Sequence, residues 1–220
     1  MTKISFLVLF SIIAFSCRKL EGQPFDENIY FFEPQPKNIS ELNKIPSRFR
    51  GKFMSQDSLF YNIEDNFICF SYCNKFKVAK SEIGLLKSDF EITDKKIISK
   101  KLDIAFGYRF LKDSIELSEV KMDTVFVFSK NNKAKRIDGQ LVLNFKDRIY
   151  WQIKIISIQQ NVLTIKQLSD FADLKRLDSI TAIKSKMIDS TKILLNPSRF
   201  EFKKIVNLKN SGFSANYKKI

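Results

Sequence analysis

The chain predicts a mainly β fold, α+β by content, in which an antiparallel β-meander forms a sandwich or a barrel and an amphipathic helix follows near the C-terminus. Three observations carry this expectation. Between residues 141 and 168, apolar residues alternate with polar ones in three successive runs, the period-two pattern of half-buried strands. The joins Lys146-Asp147-Arg148 and Gln159-Gln160-Asn161 suit only antiparallel neighbours, because parallel strands need crossovers of about a dozen residues or more. Further on, Ser198 and Glu201 stand at capping-box spacing ahead of Phe202, Ile205, Val206 and Leu208, which share one helical face.

The chain opens with Lys3, an apolar run from Ile4 to Phe15 and a small residue, Ser16. That is the layout of a secretory signal over 1–16, and the run is shorter than the roughly 20 apolar residues a membrane-spanning helix needs. Residues 17–45 read as a tether interrupted by Gly22, Pro24, Pro34 and Pro36, with Pro46 closing it. Within it Tyr30-Phe31-Phe32 is too apolar to stay solvated and is expected to pack on the domain or at the membrane interface. A short helical turn is expected over Ser40 to Lys44.

Residues 46–220 read as a single β-rich domain. Phe49 to Phe53 forms the first expected strand, and Leu59 to Ile63 and Phe67 to Tyr72 flank the hairpin connection Glu64-Asp65-Asn66. Lys75 to Lys80, Phe90 to Thr93, Ile97 to Phe106 and Ser114 to Val120 continue the series, and Ser81 to Leu86 suits a short helix or a turn. Thr124 to Phe128 is apolar on both alternating faces and predicts a strand buried on both sides, ended by Asn131-Asn132. In the meander, Leu141, Leu143 and Phe145 share a face opposite Asn144, while Trp151, Ile153 and Ile155 alternate with Gln152 and Lys154. Leu163 and Ile165 repeat the pattern. Asp170 to Leu177 suits a helical turn with an acidic start, and Ile180 to Met187 is open. The C-terminal helix is expected near 198–210, with Gly212 placed to stop it and Phe213 to Tyr217 as a last strand.

The composition excludes several chemistries. No His occurs, which removes Ser-His-Asp and Cys-His catalysis, histidine bases and His-bearing metal sites. Cys69 and Cys73 fall on one expected strand, where four residues span about 13 Å, too far for a disulfide. They read as two inert thiols, and no metal or cofactor site is expected. Ser118-Glu119-Val120-Lys121 matches S-x-x-K, but in a strand-like run without the K-T-G partner. Glu116 with Asp123, and Glu64 with Asp65, read as surface and turn carboxylates, and no glycine-rich phosphate loop is present. Trp151 reads as core and not as a sugar platform. No catalytic residue is assigned, and a non-enzyme is expected.

The formal net charge is +14, and the leader carries only Lys3 of it. The lysines come in short groups such as Lys95-Lys96, Lys100-Lys101 and Lys218-Lys219, beside apparent turns or on polar faces. Compositional bias in a chain rich in Lys, Ile, Asn and Phe accounts for most of this. Attraction to anionic headgroups, lipopolysaccharide or acidic glycans is the functional alternative.

Ala14-Phe15-Ser16-Cys17 resembles the lipobox of bacterial lipoproteins. It departs from the commonest pattern at Phe15, where a smaller residue is usual, and at Ala14, where Leu is more frequent. The resemblance implies that Cys17 is diacylated with chains of the palmitate kind, that the leader is cut before it, and that the new amino group is acylated too. Arg18 in second place, where an Asp would signal retention, implies the outer membrane, with periplasmic and cell-surface faces both open. Lys19 and Glu21 are similar to the charged export tags of Bacteroidetes-type lipoproteins. Asp57-Ser58-Leu59, Asp113-Ser114-Ile115, Asp123-Thr124-Val125, Asp178-Ser179-Ile180 and Asp189-Ser190-Thr191 resemble the acceptor tripeptides of Bacteroidetes O-glycosylation, which would make Ser58, Ser114, Thr124, Ser179 and Ser190 acceptors. Composition alone gives roughly one such match, although Asp-Ser also begins turns.

These features together resemble the small Bacteroidetes-type outer-membrane lipoproteins without assigned activity. The expectation is a non-catalytic, lipid-anchored β domain that binds another envelope component, protein, glycan or lipopolysaccharide, and not nucleic acid. It should expose an apolar or basic patch and have no deep pocket. Arg50-Gly51-Lys52-Phe53 is similar to the start of lipocalin-like barrels, and so the alternative is a carrier closed around a small apolar ligand.

Overall fold

The computed structural model describes residues 29–82, 89–94, 96–100, 104–168, 171–180, 185–189, 191–209 and 211–220. The expected signal, Cys17, Ser190 and most of Ser81 to Leu86 lie outside them. In chain order the strands are β1 (Ile29–Phe31), β2 (Gly51–Met54), β3 (Phe60–Ile63), β4 (Phe67–Ala79), β5 (Phe90–Ile92), β6 (Lys96–Ser99), β7 (Ala105–Phe110) and β8 (Ser114–Val127). There follow β9 (Asn132–Ile137), β10 (Gln140–Asp147), β11 (Tyr150–Gln159), β12 (Val162–Gln167) and helix α1 (Phe171–Ile180). The chain ends through β13 (Lys186–Met187), β14 (Ile193–Leu195), helix α2 (Arg199–Asn207) and β15 (Phe213–Lys219). The fold is mainly β with a C-terminal helix, as the sequence predicts. No helix among the described residues is long and apolar enough to cross a membrane.

The meander β10–β11–β12 is antiparallel throughout and organises the rest. Register decides its role. Leu143 faces Lys154 and Asn144 faces Ile153, so Leu141 and Leu143 lie on one side of the sheet while Trp151, Ile153 and Ile155 lie on the other. The apolar runs of these two strands therefore serve different cores. One core, inside the curve of the sheet, joins Leu141, Leu143 and Ile156 to Phe53, Ile63, Ile68, Phe126 and Leu163. The other joins Val142, Trp151, Ile153 and Ile155 to β1, β14 and the helices through Phe31, Leu177, Ile193, Phe202 and Ile205.

From β12 the sheet continues through β15, β2, β3 and β4 to β8, while β9 extends it from β10. It curls enough that Phe126 of β8 meets Phe145 of β10 edge to face, with ring centroids 5.8 Å apart. No ladder joins β8 to β9 among the described strands, only the tight turn between Ser129 and Asn132. The sheet is therefore open, and the closed-barrel alternative falls. At its middle, Phe49, Phe53, Ile63, Ile68, Leu141 and Leu163 leave no room beside them for a water-sized sphere.

On the other face, β11 is shared. Its later residues pair with β12, while Trp151 near its start pairs with Phe31 of β1, which runs parallel to β14. Tyr30-Phe31 packs on the domain, and Phe31 meets Phe202 of α2 edge to face at 5.8 Å. The next residues are held by a polar contact: the Gln35 amide donates to Asn144 Oδ1 (2.6 Å), and Asn144 Nδ2 donates to the Gln35 carbonyl (2.8 Å). Lys135 Nζ donates to the carbonyls of Pro34 and Pro36, both at 3.1 Å, and burial holds its pKa below the ordinary lysine value. From Ile29 onward, then, the stretch expected as tether belongs to the folded body. Ser40 to Lys44 is not helical; the nearby helical turn is of the 3₁₀ kind, at Ser47–Phe49.

Other departures have physical causes. Ser114 to Val120 and Thr124 to Phe128 are one strand, because an extra residue in β8 near Val125 shifts the pairing from Cys69↔Thr124 to Ile68↔Phe126. This β-bulge breaks the alternation and turns Phe126 inward. Thr124 and Val127 stay exposed, so the strand buried on both sides is β10 and not this one. Likewise Phe67 to Tyr72 and Lys75 to Lys80 merge into β4, whereas Ile97 to Phe106 splits into the hairpin β6–β7.

Ser198 and Glu201 make the capping box reciprocally, and Phe202, Ile205 and Val206 are buried as expected. The helix stops at Asn207, earlier than Gly212, and Lys166 donates to the Leu208 carbonyl at 2.7 Å beyond its end. Burial lowers the Lys166 pKa, and Asp173 partly offsets this. Gly212, with φ +69°, instead passes against β12, where an added methyl would stand 2.1 Å from the Gln167 carbonyl oxygen.

Gly212→Ala is expected to cost more than the roughly 1–2 kcal/mol of left-handed backbone alone, measured by urea unfolding. Ser198→Ala should cost about 1 kcal/mol at neutral pH. The hydrogen bond from the Ser198 amide holds the Glu201 carboxyl below its ordinary 4.5. Its stabilisation is thus present above that pH and lost as pH falls through the lower folded value. The Tm difference between the wild type and Glu201→Gln should shrink in acid.

Candidate interaction surface

Beyond Ile68, β4 and β8 run on as a long two-stranded ribbon, and β7, β6 and β5 add to its far half in sequence order. Long strands form here because both sequences alternate over many residues without a Gly or Pro break. Register separates the two faces. Val78 faces Ile115, Leu117 faces Tyr108, and Phe106 faces Ile97, so these residues share the side that carries Ile68 and Phe126 at the base of the ribbon. Ile97, Ile115 and Leu117 make a small core of their own, with Val78, Phe90, Phe106 and Tyr108 packed around it.

The rim of that core is exposed. Phe110 on β7 is 61% exposed, Phe76 on β4 42% and Ile92 on β5 37%, all on this face around the half-buried Phe90, Phe106 and Tyr108. The rings are ordered against one another, Phe76 to Phe106 at 5.4 Å and Tyr108 to Phe110 at 5.4 Å, both edge to face. Tyr108 donates to the Thr93 carbonyl at 3.0 Å, which fixes its ring at the rim. The opposite face is polar and basic. Lys75, Lys77, Lys96 and Arg109 lie on it, with Arg109 paired to Glu116 at 3.0 Å. The distal sheet is therefore amphipathic: aromatic on one face, cationic on the other.

The residues singled out in the sequence fall elsewhere or come apart. Ser118 and Lys121, three apart on β8, point to opposite faces. The Ser118 hydroxyl donates to the Gly107 carbonyl, and Lys121 pairs with Glu119. Glu116 and Asp123 also face opposite ways and stand about 23 Å apart along the strand. Neither pair can share a substrate. Cys69 and Cys73 are half-buried on one face of β4 and unbonded, as their spacing predicts. Trp151 is buried, 7% exposed, with Lys133 and Lys146 over its ring at 5.6 and 5.8 Å.

The acceptor-like hydroxyls are scattered. Ser58 is exposed in the β2–β3 turn, and Ser114 is half-buried at the start of β8. Thr124 is exposed beside the bulge, and Ser179 is exposed at the end of α1, donating to the Arg176 carbonyl. Phe76, Phe110 and Ile92 were not anticipated as surface. The available signal is the alternation Phe106, Tyr108, Phe110 around Gly107 and Arg109, which marks a strand with one apolar face but not what covers it.

No protein-family model matches the chain, and no curated protein or solved structure matches it either.

Leu117→Ala should cost about 2–5 kcal/mol and strip amide-exchange protection from β5 to β7 before the meander. Phe110→Ser, at the exposed rim, should leave Tm nearly unchanged.

Proposed function

We propose that this chain is a non-catalytic binding module of the cell envelope, held to the outer membrane through acylated Cys17, with the aromatic face of the distal sheet as its contact surface. The observation that carries the reading is the exposed rim of Phe76, Phe110 and Ile92 on a sheet whose own core is small. Exposed apolar residues that cluster, instead of being scattered singly, mark interaction sites. The rim side chains Phe76, Phe110 and Ile92 carry no hydrogen-bonding atoms, whereas a glycan needs partners for its hydroxyls. A protein partner within the envelope fits the face better than a glycan or lipopolysaccharide. The carrier alternative requires a cavity, and the filled centre of the curled sheet favours the adaptor reading over it.

Two acyl chains or more anchor a protein firmly, at about 0.8 kcal/mol per buried methylene. Cys17→Ser should therefore release the chain from washed membranes. A photo-crosslinking phenylalanine at position 110 should capture one envelope protein, while the same probe at Phe200, which is exposed on α2, should not. Equal labelling from both positions, or an acyl-free Cys17 with unchanged membrane retention, would count against the reading. A small ligand retained in native mass spectrometry would favour the carrier instead.

A further inference from the structure

The face of the ribbon turned away from the aromatic rim carries an apolar patch of its own. Val120 and Met122 of β8 are 73% and 71% exposed, and register sets them beside the small side chains of Cys73 and Ser71 on β4. From Ser71 the row runs on to Phe60 of β3 and Met54 of β2, both half-buried. Lysines border it on both sides. Lys75 and Lys77 share this face of β4, and Lys96 stands in the Lys75 row, across Ser118 and Gly107. At the other flank Lys218 of β15 faces Met54, and Lys52 lies on the same face of β2. All five lysines are exposed, and among the described residues none of them enters an ion pair. Of the described residues of β2 to β8 on this face, only Glu116, held by Arg109, and Glu91, at the far edge, are acidic. Glu119 and Asp123 of β8 alternate onto the opposite face.

Exposed apolar side chains flanked by unpaired cations suit an anionic lipid layer, where burial of the first and attraction of the second to headgroups add. We propose that this face rests on the anionic phospholipid surface of the membrane that holds Cys17, with Val120 and Met122 among the headgroups and the lysines on the phosphates. Charge complementarity selects the occupant. A free anion would leave Val120 and Met122 in water, and a protein partner would have to be apolar at its centre and acidic on both flanks. A phospholipid surface supplies both, because lysine stems lie along apolar surface while their ammonium groups reach outward to phosphate. The sugars of a lipopolysaccharide leaflet would keep such short apolar side chains from any acyl region. Resting on the anchored reading above, the seating has lipid within reach: from Cys17 to Ile29 is twelve residues, at most about 43 Å of chain. With the basic face on the membrane, Phe76 and Phe110 on the opposite face are turned toward the partner.

The test uses the full chain, purified from its own membranes in non-ionic detergent and reconstituted on vesicles of phosphatidylcholine and phosphatidylglycerol in equal parts. In a Cys69→Ser/Cys73→Ser background, a bimane label on Met122→Cys should be quenched by phospholipid brominated near the headgroup. The same label on Phe110→Cys should not be. Each lysine near an anionic surface is worth about fivefold in affinity, so Lys75→Glu/Lys77→Glu should weaken the seating at least about twentyfold and remove the quenching at 122. Vesicles of phosphatidylcholine alone should remove it too, and high salt should lessen it. Flotation with the phosphatidylcholine vesicles reads the anchor by itself. A chain that fails to float there has lost the anchor, yet this face still draws it to the mixed vesicles. No quenching at 122, equal quenching at 110 and 122, or quenching indifferent to phosphatidylglycerol and to Lys75→Glu/Lys77→Glu overturns the proposal. An envelope protein crosslinked from position 122 in whole cells, without lipid quenching there, would assign the patch to that protein and overturn it as well. Should Lys75→Glu/Lys77→Glu fail to fold, Lys52→Glu/Lys218→Glu and the change of lipid still decide.

Discussion

Everything in this chain depends on the β10–β11 hairpin being buried on both faces. Leu141, Leu143 and Ile156 hold the curled sheet, while Val142, Ile153 and Ile155, one residue out of phase, hold the helices, β1 and β14. A slip of one residue in either strand would exchange the two sets and empty both cores. The one polar residue admitted between them, Asn144, is fully buried and satisfied by the Gln35 backbone, so a potential penalty becomes a clamp on the segment entering the domain.

The same layering changes the meaning of the basic charge. Lys135 spends its ammonium on two carbonyls beneath the N-terminal segment, Lys133 pairs with Glu41 at 2.6 Å, and Lys166 serves the end of α2. Lys133 and Lys146 also cover Trp151. Part of the net +14 is thus structural, and the more coherent cationic surface is the back of the distal sheet. Among the described residues that sheet has three well-buried side chains in its core, Ile97, Ile115 and Leu117, fewer than either core of the body.

The meander, the capping box, Trp151 as core and the unbonded cysteines were legible in the sequence because each depends on local spacing. What escaped depended on partners distant in the chain. Leu141 and Trp151 look alike in an alternating pattern, and only the pairing register assigns them to opposite faces. The extra residue near Val125 disguised one long strand as two. Ile29–Phe31 and Ile193–Leu195 are too short to signal strands alone and become strands because they lie against each other, Ile29–Phe31 also pairing with β11 and Ile193–Leu195 with β13. The interaction surface escaped for a related reason. Phe110 has the sequence environment of a core residue, and its exposure follows from how far β4 and β8 outrun the body that could have covered it. Cys17 and the acceptor-like serines rest on resemblance, which no register can supply.

The position of β1 also sets how the domain would bear mechanical load. β1 is not a terminal edge that could peel away: it lies between β14 and β11, parallel to the first and antiparallel to the second. A pull on the residues ahead of Ile29 acts along the strand and loads those backbone bonds together, in shear, where a peeled hairpin would yield them one at a time. Behind the strand, Phe32 donates to the Leu195 carbonyl, and the Gln35–Asn144 clamp adds a second grip four residues on from Phe31. Force delivered through the N-terminal end would meet the most deeply layered part of the molecule first, leaving the distal sheet at the unloaded end.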